Sequence, residues 1–262
     1  MEFVDIHNHL AWGIDDGMPT EEDAMAALKQ AKEDGITKII ATPHFVPGSQ
    51  NLDDIEIMNH RIKDLKGLAH NYGILIYTGA EIFLNSDYLE MIEEGLFHTL
   101  GNSSYILVEF DVRRDMIQND TADDKLYELI IREYTPIVAH VERYFPKGID
   151  LDRVKNWIDM GCYVQINRTS ILGLHGEMPK RNAFELLKRG LCHVIASDAH
   201  RATGSRITRL SDAYNVVKGN FGLENADLLF IRNPVSILEN KELGHMVIKK
   251  KTLFDRFRKR GK

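Results

Sequence analysis

The feature that most constrains this chain is an alternation sustained along most of its length. Short β-rich apolar runs recur roughly every thirty residues, and helical patterns fill the gaps between them. Strands are predicted at 3–7, 38–42, 75–80, 105–109, 136–139, 163–166 and 193–197. Runs such as 39–41 and 105–108 are continuously apolar, as parallel strands buried on both faces require. Helices are predicted over 20–34, 52–71, 86–94, 123–133, 151–160, 180–189 and 205–218. Thr20 with Asp23 reads as a capping box, and Gly35, Gly73, Gly161 and Gly190 stand where helix C-caps belong. Repeated βα units in 262 residues predict one α/β barrel of about seven strands, closed or nearly so. A doubly wound open sheet is the alternative.

Composition narrows the class. Two cysteines, Cys162 and Cys192, supply neither a disulfide framework nor a thiolate zinc knot. The opening Met1-Glu2-Phe3-Val4-Asp5 does not read as a signal peptide, and no apolar run suits a membrane helix, so a cytoplasmic protein is expected. The net charge of −6 conceals a split. Residues 249–262 carry about +7 and residues 1–248 about −13. We read 1–248 as one domain and 249–262 as a basic tail. The acidic body argues against nucleic-acid binding. The tail, with Leu253, Phe254 and Phe257 among its cations, could touch an anionic membrane from the inner face.

The residues at the predicted strand ends carry the chemistry. Strand one leads to His7 and His9 and then a loop with Asp15 and Asp16; strand two leads to His44 and strand three to Glu81. Glu109, His140, Asp198 and His200 close strands four, five and seven. In an α/β barrel these ends converge on one face. Core packing gives no reason for that placement, and burying so many imidazoles and carboxylates together is costly unless cations neutralise them. A metal cluster follows. Imidazole and carboxylate donors without thiolate suit Mn, Fe, Zn or Co, and the ligands are too many for one ion. Such sites generate hydroxide from water and clamp a transferring phosphoryl group.

Residues 5–17 (DIHNHLAWGIDDG), 35–45 (GITKIIATPHF), 79–84 (GAEIFL), 105–110 (YILVEF), 139–144 (AHVERY), 165–174 (QINRTSILGL) and 197–200 (SDAH) resemble the PHP (polymerase and histidinol phosphatase) superfamily. They are most similar to its manganese-dependent protein-tyrosine phosphatases of bacterial capsule and exopolysaccharide operons. The resemblance covers about residues 1–240 and implies a distorted (β/α)7 barrel with two or three Mn2+ ions, Fe or Zn being the alternatives. It implies His7, His9, Glu81 and Asp198 around the first ion and Glu81, Glu109 and His140 around the second. Asp16, His44 and His200 would hold the third. It further implies Arg143 and Arg206 on the phosphate, with His44 or His200 relaying a proton to the leaving tyrosine. The implied partner is a phosphotyrosine protein, an autophosphorylated bacterial tyrosine kinase. The oligomeric state is left open.

Three rivals are weighed. Cys162 and Arg168 satisfy the Cys-x5-Arg spacing of thiol-dependent phosphatases, but the residues between them contain no Gly and read as a strand, not a phosphate loop. A histidinol-phosphatase-like enzyme would use the same site on a small ester. A catalytically silent, metal-stabilised binding module would show gaps in the ligand set, and none is visible. His175, after strand six, could approach the substrate. His60, His70, His98 and His245 read as surface residues, and His193 as lying on the barrel end opposite the site.

Overall fold

The computed structural model describes residues 1–248, so the basic tail lies outside the described residues. Among them are nine parallel strands: β1 (Phe3–Asp5), β2 (Ile36–Ala41), β3 (His44–Phe45), β4 (Leu75–Thr78), β5 (Glu81–Phe83), β6 (Tyr105–Glu109), β7 (Thr135–Val138), β8 (Tyr163–Asn167) and β9 (Val194–Ala196). They fill seven positions, because the second and third predicted strands are each cut in two. Thr42-Pro43 separates β2 from β3, and Gly79-Ala80 separates β4 from β5. Pro43 has no N–H for the ladder. A Cβ on Gly79 would lie 2.8 Å from the Ile40 side chain, so the two interruptions nest against each other.

The cut leaves two sheets, ordered β1-β2-β4 and β3-β5-β6-β7-β8-β9. Asn8 joins them. Its amide donates to Thr42 Oγ1 at 3.0 Å and its side chain to Ile40 O at 3.1 Å. On its other side Asn8 forms a parallel bridge with Ala199. His9 N donates to Ala199 O and Asp198 N to His7 O, each at 2.9 Å, which closes the chain beyond β9 onto the chain beyond β1. The fold is therefore a distorted (β/α)7 barrel, TIM-like as expected, and the open sheet is excluded.

Among the described residues ten α-helices surround it: α1 (Glu21–Asp34), α2 (Leu52–His70), α3 (Tyr88–Glu94), α4 (Ala122–Ile130), α5 (Leu151–Met160), α6 (Arg168–Ile171), α7 (Glu177–Arg189), α8 (Ser211–Phe221), α9 (Leu223–Asp227) and α10 (Asn233–Leu238). Three features correct the prediction. The helix expected from 205 starts only at Ser211, leaving 201–210 as a loop. Gly73 is not a C-cap: α2 ends at His70 with Asn71 as its C-cap, and Gly73 sits two residues beyond that cap. Thr20 accepts from Asp23 N but receives no return bond to its own amide, whereas Asn51 and Asp54 build a complete capping box on α2.

Two apolar layers result. Val4, Ile6, Leu107, Ile137 and Val194 fill the barrel, with Ile237 of α10 and Leu243 in the same cluster. Phe3, Ile39, Ile106, Val138 and Ile195 face outward against the helices. No helix among the described residues is long and apolar enough to cross a membrane.

Candidate metal centre

The interruptions in β2–β3 and β4–β5 do more than distort the barrel. They put His44 directly opposite Glu81 in parallel register, so the two side chains share a face. His140 needs another device. Ile137 and Ala139 point into the barrel, so strand alternation would turn His140 outward. Its backbone instead adopts φ +33°, a left-handed conformation that costs a β-carbon-bearing residue on the order of 1 kcal/mol. Asp198, at φ +50°, shares the conformation. The two positions are strained where the ligands converge.

All nine metal-ligand candidates meet. Ligand atoms fall into four overlapping groups: His7, His9 and Asp198; His7, Glu81 and His140; His44, Glu81 and Glu109; and His9, Asp16, His44 and His200. Glu81 sits at the centre, its Oε2 3.1 Å from His7 Nε2 and 3.2 Å from both His9 Nε2 and His44 Nδ1. The grouping differs in detail from the one the resemblance implies. His44 also faces Glu81 and Glu109, and His9 reaches toward the third set.

The donor set fits divalent cations for a reason visible in its hydrogen bonds. Gln165 Oε1 accepts from the backbone N–H of His140 at 3.0 Å, so the amide oxygen must face His7, and His7 Nδ1 must carry the proton. Asp15 Oδ2 accepts from His9 Nδ1 at 2.8 Å. In the neutral rings both Nε2 atoms are then lone pairs, and they face each other at 3.3 Å. Glu81 Oε2 beside them is buried without any hydrogen-bond partner. Two lone pairs and an orphaned carboxylate oxygen converging in a dry site call for positive charge between them.

Electrostatics point the same way. Burial opposes charge on His7, yet Glu81 and Asp198 raise its imidazole to about 9. Burial likewise opposes charge on His44, and Glu81 with Asp16 and Glu109 carries it to about 12. Burial would raise the Asp198 carboxyl, but His7 and Arg206 hold it well below the usual carboxylate range. Burial and the neighbouring His9 push His200 down to about 4.

Both predicted arginines reach the same mouth. Arg143 Nη1 lies 3.7 Å from Asp198 Oδ2, and Arg206 Nη2 lies 2.7 Å from Asp198 Oδ1 and 3.0 Å from His200 Nε2. His175 is half-buried and bonded to Thr169 Oγ1 at 3.1 Å. Burial and the charge of Arg143 push its imidazole down to about 4.

Several functional residues escape a search for ligands. β8 brings no candidate ligand, yet it hydrogen-bonds three of them, His7, His140 and Asp198. Gln165 Nε2 donates to Asn167 Oδ1 at 2.8 Å, and Asn167 Nδ2 donates to Asp198 Oδ2 at 2.6 Å. Below them Glu142 is fully buried, with Oε1 accepting from Ser170 Oγ and Asn167 N. Burial raises its carboxyl to about 7. The readable signal was two amide side chains at alternate positions of a buried strand. Asp15, beside the candidate ligand Asp16, similarly takes His9 Nδ1, His44 N and Gly17 N rather than a central position.

The thiol rival fails on geometry. Cys162 is buried beside the start of β8, and burial pushes its thiol up to about 12. Arg168 follows the far end of that strand and binds Asp212 instead. The other histidines stand apart from the cluster. His193 Nε2 is paired with His245 Nδ1 at 3.3 Å, so His245 is exposed but not unattached.

Comparison with known proteins accords with this geometry. Residues 3–239 match the family described as capsular polysaccharide synthesis, CpsB/CapC. The tyrosine-protein phosphatase CpsB of Streptococcus agalactiae is 33% identical over 244 residues, covering 90% of this chain and 98% of that protein. A crystal structure from work on YwqE of Bacillus subtilis and CpsB of Streptococcus pneumoniae, described as metal-dependent tyrosine phosphatases, superposes with a TM-score of 0.78 at 25% identity. It covers 95% of this chain and 99% of that one. Histidinol phosphate phosphatase of Lactococcus lactis shares the fold alone, with a TM-score of 0.51, 15% identity, and coverage of 86% of this chain and 94% of that one. The chain belongs to the CpsB/CapC family of capsular polysaccharide synthesis proteins.

Proposed function

We propose that this protein is a metal-dependent protein-tyrosine phosphatase. The observation that carries the reading is one mouth in which eight imidazole and carboxylate donors surround Glu81 while Arg143 and Arg206 both reach Asp198. His7, His9, Asp16, His44, Glu81, Glu109, His140, Asp198 and His200 would hold two or three cations. Mn2+ is the ion we propose, and Fe or Zn would suit the same donors. Bound there, divalent ions would lower the pKa of water and offset charge on the phosphoryl oxygens.

The chain's own residues supply the rest. Arg143 and Arg206 are half-buried forks, shaped to take two phosphoryl oxygens each and to hold the ester in line. A tyrosine leaving group, with a pKa of about 10, needs only modest proton assistance. His44 has the most exposed side chain of the five imidazoles, at 24%, and is the better placed to meet it. His200, at 3% and beside Arg206, is the alternative. Family membership supports a phosphotyrosine protein of capsule or exopolysaccharide assembly as substrate, and we propose an autophosphorylated bacterial tyrosine kinase. We place the reaction in the cytoplasm, at the inner membrane face where such a kinase resides.

The test compares a phosphotyrosine peptide with histidinol phosphate, each with Mn2+, Fe2+, Zn2+ or chelator. We expect Mn2+-dependent turnover of the peptide and none with chelator. Peptide turnover that survives exhaustive chelation, or a marked preference for histidinol phosphate, would refute the assignment.

A further inference from the structure

We infer that Arg168 is a positioning residue for the reaction: through the carbonyl of Ser205 it sets where Arg206 presents its guanidinium to the phosphoryl group. The inference rests on the reading of Arg206 as a phosphate-gripping residue.

Arg168 opens α6 directly after β8 and is only 4% exposed. All three nitrogens of its fork are used. Nε donates to Asp212 Oδ1 at 2.9 Å, Nη2 to Asp212 Oδ2 at 2.6 Å, and Nη1 to Ser205 O at 2.8 Å. Asp212 lies in the first turn of α8. The guanidinium therefore ties the end of β8, the start of α8 and the loop between β9 and α8 at one buried point.

That loop needs an external tie. It has no regular structure between His200 and Ser211, and Gly204, at φ +86° with open space around it, immediately precedes Ser205. Its internal closure falls on Arg206 itself, whose carbonyl accepts from His200 N at 2.9 Å and Arg201 N at 3.1 Å. With Ser205 O held by Arg168 and Arg206 O held by the loop base, the backbone on both sides of Arg206 is pinned. What remains free is the side chain, which already reaches Asp198 and His200. A plain structural brace would need only the Asp212 pair. The third bond, to the carbonyl next to Arg206, is the one that reaches the chemistry.

The experiment uses the full-length, metal-loaded protein. Arg168→Lys keeps the charge and loses the fork. Arg168→Met with Asp212→Leu removes both charges and guards against a misfolded single variant. Each is measured for kcat and KM on a phosphotyrosine peptide, for inhibition by inorganic phosphate, and for metal content, alone and combined with Arg206→Ala. We expect KM and the phosphate inhibition constant to rise about ten- to a hundredfold with metal content unchanged. On the Arg206→Ala background the same changes should have no further effect. Unchanged phosphate inhibition, or an effect that persists undiminished without Arg206, would overturn the proposal. If Arg206→Ala alone is silent, the reading of Arg206 fails first and takes the proposal with it.

Discussion

Replacing Gln165 with Leu should weaken metal binding without touching a ligand. Gln165 is fully buried, and its amide serves three neighbours: His7 Nδ1 and His140 N donate to Oε1, and Nε2 donates to Asn167 Oδ1. Leucine matches the shape and serves none. Each buried polar group left unpaired costs about 1–3 kcal/mol, so a loss of about 3 kcal/mol or more in stability is expected. The functional effect is more specific. Without its acceptor, the His7 ring has no reason to keep Nε2 turned toward Glu81, and loss of such an orienting partner typically costs about 10–100-fold in metal affinity. Turnover of p-nitrophenyl phosphate titrated with Mn2+ should therefore show the half-saturating metal concentration raised by that factor. Saturating Mn2+ should recover most of kcat, and the gain in Tm on adding Mn2+ should shrink at limiting metal. An unchanged metal titration in a destabilised variant would refute the argument, because Gln165 would then be only a core residue.

Two further outcomes follow. Cys162→Ser should keep within about twofold of wild-type activity while activity remains chelator-sensitive, since a buried thiol with its pKa pushed up to about 12 is inert; loss of activity in that variant with metal still bound would revive the thiol mechanism. Truncation after Ile248 should leave turnover of a small ester unchanged, because both apolar layers and all nine candidate ligands are built from residues before that point. A large loss would show that the tail belongs to the catalytic fold.

The barrel was legible because parallel strands buried on both faces leave near-continuous apolar runs, and because ligands cluster at one end of such strands. What was not legible has physical causes. The cuts at Thr42-Pro43 and Gly79-Ala80 make seven strands read as nine, and the close approach of Gly79 to Ile40 joins strands far apart in sequence. Isolated glycines and prolines in a strand pattern can signal this, but not which neighbour they meet. The loop at 201–210 differs from the helix expected from 205, and its Ser205 carbonyl is held by Arg168 from another element. Gln165 and Asn167 were overlooked because amides look like ordinary strand residues until the donors they serve are in place.

The same division explains how an acidic barrel can receive a phosphate dianion. Residues 1–248 carry a formal charge of about −13. Four of those acids, Asp16, Glu81, Glu109 and Asp198, are gathered at the mouth. Two or three divalent ions, as proposed, would balance or exceed them, and Arg143 and Arg206 would then tip the mouth positive. Long-range charge would repel the substrate, so recognition has to come from short contacts in a site shielded by its own burial. A phosphoryl group that reached the mouth without both arginines would meet cations but lack two guanidinium forks to orient it. A variant with the arginines alone would face four uncompensated carboxylates. The cations and arginines should therefore be strongly interdependent for substrate binding, so that removing either costs nearly as much as removing both.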